Sequence, residues 1–463
     1  MGCLSMKKLK TIPISILSVL LISCGKSSGT SSSPPLSPNS VSQLEINSEV
    51  TLIKGYEQFI SLPHELGVFP DSCEVSELSN VIITTPCSCP LFECVVGLTP
   101  IETFSTGDFH YTITDGAYTS EPLRVRTNIR DVVPFVMTWT IPGGDLDVTL
   151  PLNNLYRYDF TVDWGDGTTA EVTSYGDTDK NHSYLAPGNY NITLTGLVES
   201  IEFDISGEAS KIIAVPELGT VGWRDFQDSF RGCSNLVTVE GGDTSNVKNM
   251  SYMFYNSSSA VPNTTNWNTH RVTYMDHMFY QSDAATPNTT NWDVSNVRTM
   301  YRMFYNADIT NPNTSSWKTD KLTNTYQMFS GAPLANPDVS NWNTSNITNP
   351  SGMFLNATSA NPDVSNWDTS NMQNMSFMFS GATSADPDMS LWDFSSLTNI
   401  SGFFQGANNL SSSNYDNLLI ALNATAPDSL TIDAGDATTA TVDGDNAKAA
   451  LEARSWTISD GMP

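Results

Sequence analysis

Positive charge is scarce in this chain. Of its 463 residues, 21 are Lys or Arg and 49 are Asp or Glu, which gives a formal net charge of -28. This balance excludes nucleic acid as a partner, because the phosphates would be repelled by so acidic a protein. Acidity alone identifies no partner, since it also serves solubility outside the cell.

Charged residues of either sign are few, at 15% of the chain, while hydrophobic residues make up 39%. Asn, Thr, Ser, Asp and Gly fill much of the remainder, a composition typical of turn-rich repeat and β architectures. The chain is also too long for one ordinary hydrophobic core, so we expect roughly two to four folding units.

Catalytic signatures are missing as well. The sequence contains no G-x-S-x-G, H-E-x-x-H, P-loop or dinucleotide-binding motif, and no carboxylate pair stands out. Its few histidines are scattered along the chain: His64, His110, His182, His270 and His277. We therefore expect no enzyme, no catalytic residues, no metal and no cofactor.

The apolar run near the start of the chain, from Ile12 to Ile22, is too short to cross a membrane but suits a signal peptide. Lysines precede it, and it ends in Leu21-Ile22-Ser23-Cys24. This ending resembles the lipobox of bacterial lipoproteins, which implies cleavage before Cys24 and lipidation of its thiol. The alternative is an ordinary secretory signal with an incidental cysteine.

The lipoprotein resemblance implies a location and an organisation for the N-terminal segment. Residues 1–24 would be the signal peptide and residues 25–42 a Ser/Pro-rich tether. The mature protein would be anchored in the bacterial cell envelope through lipid on Cys24, in an outer membrane and facing the cell exterior.

Four cysteines lie close together in the sequence, and an exported protein with an even local count favours two disulfides. Three pairings are possible among Cys73, Cys87, Cys89 and Cys94. Zinc is the alternative, although the spacing lacks paired C-x2-C knuckles. Cys233 is left over, and we expect it to be a buried apolar side chain.

Two β modules precede the middle of the chain. Residues 43–130 alternate in short strand-like segments, and the stretch FHYTITDGAYTSEPLRV resembles the last strands of cadherin-like or bacterial immunoglobulin-like domains. Residues 133–205 carry the motif WGDG at Trp164, then His182-Ser183-Tyr184, then Pro187-Gly188. These motifs resemble the PKD domain. Both modules are predicted to be β-sandwiches.

A repeat with a period of 25 residues follows, because Phe recurs from Phe254 to Phe404 and Trp from Trp267 to Trp392 at that fixed step. Together with DSFRGCSNLVTVEG at residues 228–241, the coils resemble the DUF285-type, leucine-rich-repeat-related repeats of BspA-like bacterial surface lipoproteins. The fold class predicted from this resemblance is a leucine-rich-repeat-like solenoid of about seven to eight coils over residues 206–410. Residues 411–463 would form its C-terminal cap.

Within each coil, apolar residues at offsets 0, 3, 6 and 7, such as Val247, Met250, Met253 and Phe254, predict a short helix with one buried face. The alternative is a β-helical coil of the same period, which would also bury the Phe and Trp columns. Function is sought instead in columns that vary between coils. On a helix, the columns of Tyr252 and Lys248 would adjoin and face solvent. The candidate partner-binding residues are Tyr252, His277, Arg302, Gln327, Lys248, Arg298 and Arg271.

The function that follows is adhesion or recognition of a protein or glycan partner by a surface lipoprotein. BspA-like proteins adhere to proteins of the host or of neighbouring cells, and the resemblance implies the same class of role. The alternative is a structural envelope or matrix protein whose repeats only pack or self-associate.

Overall fold

The structure, a computed structural model, describes residues 48–62, 64, 70–90, 93–116, 118–203 and 207–461. The predicted signal peptide, the tether and the lipidated Cys24 therefore lie outside the described residues.

The described residues are mostly β-structure, with short strands along the chain, two short 3-10 helices (Thr178–Lys180 and Gly207–Ser210) and α-helices only near the C-terminus. The strands are β1 (Ser48–Ile53), β2 (Gln58–Leu62), β3 (Ser72–Ser79), β4 (Val81–Ser88), β5 (Cys94–Pro100), β6 (Thr106–Asp115), β7 (Tyr118–Thr119), β8 (Leu123–Arg130), β9 (Phe135–Ile141), β10 (Asp147–Thr149), β11 (Tyr158–Asp163), β12 (Thr169–Val172), β13 (Asn181–Ser183), β14 (Gly188–Val198), β15 (Ile212–Glu217), β16 (Thr238–Val239), β17 (Val261–Pro262), β18 (Thr431–Asp433) and β19 (Thr457–Ser459). The α-helices are α1 (Ser412–Thr425) and α2 (Val442–Ala453).

Strands β1 to β8 form two sheets around one hydrophobic cluster. The first has the order β1-β8-β6-β3 with β7 beside β6, and the second has the order β2-β5-β4. Strand β8 alternates buried and accessible side chains, as a strand with one face on a core does. Leu52 and Val125 of the first sheet share the cluster with Val96 and Leu98 of the second. The N-terminal region is therefore β-rich, as predicted.

The next sheet does not end where the predicted PKD-like module ends. Its order is β12-β11-β14-β9-β15-β16-β17, and the last two strands come from the first repeat units. One hydrophobic cluster runs without a break from Phe135 to Trp456. Strand β15 pairs with β9 on one side and with β16 on the other, so this sheet continues past residue 205.

The predicted fold class, two β-sandwiches followed by a leucine-rich-repeat-like solenoid, is wrong. No repeat unit within residues 207–410 contains an α-helix. The reason is visible in the backbone, since Tyr252 and Asn256 both have positive φ, at 59° and 57°. A left-handed residue every four positions ends any right-handed helix before it has made two turns.

The repeat units instead hydrogen-bond to one another. The N–H groups of Met253 and Tyr255 close four-residue turns within the unit by donating to the C=O groups of Met250 and Tyr252. Those of Phe254 and Asn256, which alternate with them, donate to the C=O groups of Met278 and Tyr280 in the next unit. Such backbone bonds satisfy donors that a helix would have satisfied internally. We call the stacked units, residues 226–404, the repeat stack.

The apolar columns are buried although the helix is not there. Val247, Met250, Met253 and Phe254 are all 0% exposed. Successive Phe rings stack along the column, with 5.5 Å between the ring centroids of Phe279 and Phe304. The core of each unit is thus completed by its neighbours, as in other repeat proteins.

The last units pass into the C-terminal helices. Ile400 forms a parallel bridge with Ile432 of β18, and Phe404 donates its N–H to Asp433. Helices α1 and α2 pack together, and Leu418, Leu422 and Leu451 join the common hydrophobic cluster. Neither helix in the described residues has the length and apolar character needed to span a bilayer.

Candidate binding face

One column of the repeat stack holds a left-handed backbone in every unit. Its φ values lie between 51° and 65°. We call it the left-handed column, and its members are Tyr252, His277, Arg302, Gln327, Gly352, Phe377 and Gly402. Left-handed φ costs roughly 1–2 kcal/mol for residues other than Gly. Gly352 and Gly402 show that Gly can adopt this backbone conformation. The backbone therefore does not require the large side chains found at the other positions of the column.

A second left-handed column supports this contrast. Four residues further along each unit, positive φ recurs, and there the residues are mostly Asn or Gly, which tolerate it well. Examples are Asn256, Asn306, Gly331 and Gly381. The large side chains of the left-handed column are therefore expected to do something as side chains.

Tyrosine rings from neighbouring units stack beside this column. Tyr255, Tyr280 and Tyr305 lie with ring centroids 4.6 and 4.7 Å apart and planes within 10° of parallel. Tyr301 and Tyr326 form a second stack at 5.1 Å. We call the whole set the tyrosine ladder: Tyr252, Tyr255, Tyr280, Tyr301, Tyr305 and Tyr326.

The ladder presents hydroxyl groups rather than ring faces. All six rings are half-buried, and within the described residues none of the six hydroxyl groups has a hydrogen-bond partner. Elsewhere in the structure, the hydroxyl groups of Tyr156, Tyr184 and Tyr415 are bonded. Burial raises the pKa of the Tyr252 and Tyr280 hydroxyls, so these groups stay protonated and can donate.

His277 joins the two tyrosine stacks. Its ring lies 4.5 Å from that of Tyr252, nearly parallel, and 4.9 Å from that of Tyr301. It is only 8% exposed, and burial, followed by the charges of Arg302 and Arg231, lowers its pKa to about 4. The imidazole is therefore neutral at physiological pH, and its buried Nδ1 has no partner in the described part of the chain.

Arg302 sits among the rings with its charge unpaired. Its guanidinium carbon lies over the rings of Tyr301, Tyr305 and Tyr326 at 5.1 to 5.5 Å, a cation–π arrangement. Its Nε donates to Gln327 Oε1 at 2.8 Å. Among the residues that the structure describes, no carboxylate lies within ion-pair distance of Arg302, and its terminal nitrogens have no hydrogen-bond partner.

At the other end of the ladder, Arg231 is already paired. Its guanidinium lies over the rings of Tyr252 and Tyr255 at 5.3 and 5.0 Å. Nη1 donates to Asp228 Oδ1 at 3.0 Å, which neutralises its charge locally. Of the two arginines on the ladder, Arg302 is therefore the one available to a ligand.

Two of the predicted partner-binding residues are not on this face. Lys248 pairs with Glu93, and Arg271 donates from Nη2 to the Ser61 C=O at 3.1 Å. Both contacts are with the N-terminal sheets, so the predicted adjacency of Lys248 and Tyr252 on a helix face is wrong. Burial lowers the pKa of Lys248, with Glu93 acting against that shift.

The same contact is extended by neutral hydrogen bonds. Asn246 receives the Thr51 N–H at 3.1 Å and donates to the Thr51 C=O at 2.5 Å, while the Thr51 and Ser245 hydroxyls bond at 2.7 Å. The basic residues at this position therefore hold the N-terminal sheets against the repeat stack. Arg298, also predicted to bind a partner, is partly exposed and has no side-chain partner within the described residues.

Sequence reasoning missed most of the ladder. The signal was present, since the residue that follows each Phe reads Tyr255, Tyr280 and Tyr305 before changing to Ser330. The position three before Phe likewise contains Tyr301 and Tyr326. Reading the columns next to the core for runs of one aromatic residue would have found it.

The clustered cysteines are joined in sequence order. Cys73 is bonded to Cys87, and Cys89 to Cys94, while Cys233 is free and buried. The sulfur atoms of Cys73, Cys89 and Cys94 lie within 4.8 Å of one another, the kind of grouping from which the zinc alternative arises. Bonded in disulfides, these atoms offer no thiolate to a metal.

In residues 133–203, His182 and Asp166 form a histidine–carboxylate pair. His182 Nε2 lies 2.8 Å from Asp166 Oδ2, and its ring stacks on Trp164 at 4.8 Å. Burial would raise the pKa of Asp166, but hydrogen bonds from Thr168 and His182 outweigh it and lower that pKa. The histidine is thus a packed residue that braces the WGDG turn.

Comparison with known proteins gives one match. Residues 224–336 and 310–418 match the family model described as "Mycoplasma protein of unknown function, DUF285". No curated protein and no solved structure matches the chain. The matched residues include the repeat stack and the whole tyrosine ladder, so the repeats of this chain are similar to those of the DUF285 repeat family.

Proposed function

We propose that this chain is a surface-displayed recognition protein, lipid-anchored through Cys24 in a bacterial envelope. Its repeat stack would bind a partner, and adhesion would be the consequence of that binding. The observation that carries the proposal is the tyrosine ladder, six half-buried rings whose hydroxyl groups are unpartnered in the described structure. Tyr and Arg are the residues enriched where protein surfaces bind partners.

The left-handed column strengthens the proposal. A protein that only stacks its units could use Gly at this column throughout, as it does at Gly352 and Gly402. Tyr252, His277 and Arg302 occupy the column in the units that carry the ladder, and each accepts a left-handed backbone there. Binding would give Tyr252 and Arg302 a role beyond the packing that they and His277 make with one another's rings.

The proposal includes no catalytic step. The alternative function, a structural envelope protein, would use the same face to pack on a second copy of the chain. That alternative predicts concentration-dependent association of the purified protein, which sedimentation measures directly.

Binding can be tested with cells that display the chain. Tyr280→Ala removes the central ring of one stack, and Tyr274→Ala is the matched control, since Tyr274 lies in the same unit, is 42% exposed and is outside the ladder. We expect Tyr280→Ala to reduce retention of cells on an immobilised partner surface by about tenfold or more, in line with an aromatic hot spot. Equal effects of the two changes would contradict the proposal.

Anchoring and exposure need a separate test. Labelling with a fatty-acid analogue should mark the wild-type chain and leave Cys24→Ala unmarked. Protease treatment of intact cells should remove the repeats while a periplasmic control protein survives. Full protection of the repeats would contradict display on the cell exterior.

A further inference from the structure

Arg302 has the chemistry of an anion site that the protein itself leaves open. Its guanidinium is held by three tyrosine rings and by Gln327 Oε1, which fix its orientation before any ligand arrives. A guanidinium in a fixed plane suits a carboxylate, because two parallel N–H groups can bond two oxygens. Arg231 shows that an arginine on this ladder can pair with a carboxylate, since its Nη1 donates to Asp228 Oδ1.

Two acidic side chains of the repeat stack are engaged by groups other than Arg302. Asp276 accepts from Thr299 Oγ1 at 2.5 Å and from the Tyr301 N–H at 2.8 Å. Asp228 is engaged by Arg231. The large negative charge of the whole chain acts over a screened distance of about 8 Å at physiological salt, so the local groups decide. Locally, the ladder has one positive charge that no described residue pairs.

The geometry of the rings distinguishes between a sugar and a peptide. A sugar binds aromatic residues by lying on an open ring face. In the ladder, Tyr280 has Tyr255 on one face and Tyr305 on the other, and guanidinium groups lie over the rings at both ends. On these three rings, what remains accessible is ring edges and hydroxyl groups, which bond well to peptide C=O groups.

We propose that the tyrosine ladder binds a protein segment that places an Asp or Glu carboxylate on Arg302, while the tyrosine hydroxyl groups bond to that segment's backbone. This inference rests on the proposed function and adds the class of partner and the residue that selects it. The unpaired charge of Arg302 favours an acidic ligand, and the covered ring faces favour a peptide over a sugar. An acidic peptide is the one ligand class that satisfies both.

The test starts from a random 12-residue peptide library displayed on phage and selected on the purified full chain in detergent. We expect the selected peptides to be enriched in Asp or Glu. Replacing those acids by Asn or Gln in the synthetic peptides should weaken binding to the wild-type chain by about 10- to 100-fold, as loss of a charge-assisted pair does. This arm needs no change in the protein, so it does not depend on how variants fold.

Protein variants give the second arm. Arg302→Gln should weaken the same peptides by a similar factor, while Lys318→Gln, which removes an exposed positive charge of the repeat stack that is off the ladder, should not. Arg302→Lys should restore part of the affinity, since it keeps the charge and loses the planar fork.

The outcomes separate this inference from the proposed function. Peptides that lack acids yet lose binding in Tyr280→Ala would overturn the carboxylate inference and leave the proposed function standing. Absence of any selected peptide, together with binding of a sulfated or uronic-acid glycan array that Arg302→Gln abolishes, would overturn the peptide inference in favour of a glycan. Failure of both probes would overturn both proposals.

Discussion

Truncating one ring of the stacked Phe column tests whether the repeat stack is held together as described. Phe304 is 0% exposed, and its ring lies 5.5 Å from those of Phe279 and Phe329, nearly parallel to both. Phe304→Ala removes this contact on both sides and leaves a cavity that neighbours fill poorly. Such changes cost about 3–5 kcal/mol of unfolding free energy.

The matched control is Phe377→Ala. Phe377 is the same residue type in the same repeat stack, but it is 42% exposed and lies in the left-handed column. Its loss should cost about 1 kcal/mol or less, as for a surface site. Both variants are compared with the wild type by guanidinium titration, with tryptophan fluorescence as the readout, since several of the ten Trp residues lie in the repeat stack.

The expected difference is large enough to read in a thermal scan as well, at about 6–20 °C for Phe304→Ala in a region of this size. Hydrogen exchange should accelerate in the units next to Phe304 and stay unchanged in strands β1 to β8, because repeats couple mainly to their neighbours. If Phe304→Ala cost no more than Phe377→Ala, the stacked Phe column would not be what stabilises the repeats.

Three further changes address other features. Because the folded-state pKa of His277 is about 4 and lies below the usual 6.5, its contribution to stability is present above pH 6.5 and is lost as the pH falls towards 4. The loss of unfolding free energy should be up to about 3 kcal/mol. The variant His277→Phe, which puts at this position the residue type that Phe377 provides in the same column, should remove most of this pH dependence. An unchanged slope of unfolding free energy against pH would contradict the assignment to His277. Gly331→Ala should destabilise the chain more than Gly406→Ala, since both have φ near 70° but only the Cβ at Gly331 would meet Asn306 Oδ1, at 1.9 Å; equal melting temperatures would refute the close approach. Reducing the Cys73–Cys87 and Cys89–Cys94 disulfides should destabilise the N-terminal sheets by about 3 kcal/mol and spare the repeat stack, and a thermal scan with and without reductant would show one transition moving while the other stays.

The sequence predicts the core of the repeats well and their backbone poorly. The offsets 0, 3, 6 and 7 mark residues that are buried, Met250 and Phe254 among them. The same offsets arise in an α-helix and in a series of four-residue turns, in which every second backbone N–H group donates to the next unit. What separates the two is the positive φ of Tyr252 and Asn256, and a tyrosine gives no warning of that conformation.

The candidate site could be predicted from the sequence only in part, for a similar reason. Tyr252, His277, Arg302 and Gln327 were predicted to face solvent together; they lie in one left-handed column, in which His277 is buried. Lys248 and Arg271 were grouped with them, yet both contact the N-terminal sheets through Glu93 and Ser61. No pattern within the repeats could show this, because the contact depends on how a preceding part of the chain folds back. The disulfide pairing could not be predicted from the sequence either, because three pairings were possible and only the folded strands distinguish them.

The distribution of surface residues along the repeat stack separates stability from recognition. The Phe column continues through Phe354 and Phe379 with the same stacking, so the later units are as well packed as the earlier ones. In those later units most ladder positions hold small side chains, at Ser351, Ser376 and Ser380, and none holds a tyrosine, although Phe377 exposes a ring there. Because the core is constant while the tyrosines are confined to the earlier units, the tyrosine rings are not required for stacking. Their presence in one block, around the one arginine of the ladder whose charge is unpaired in the described residues, is what binding a partner at that place requires.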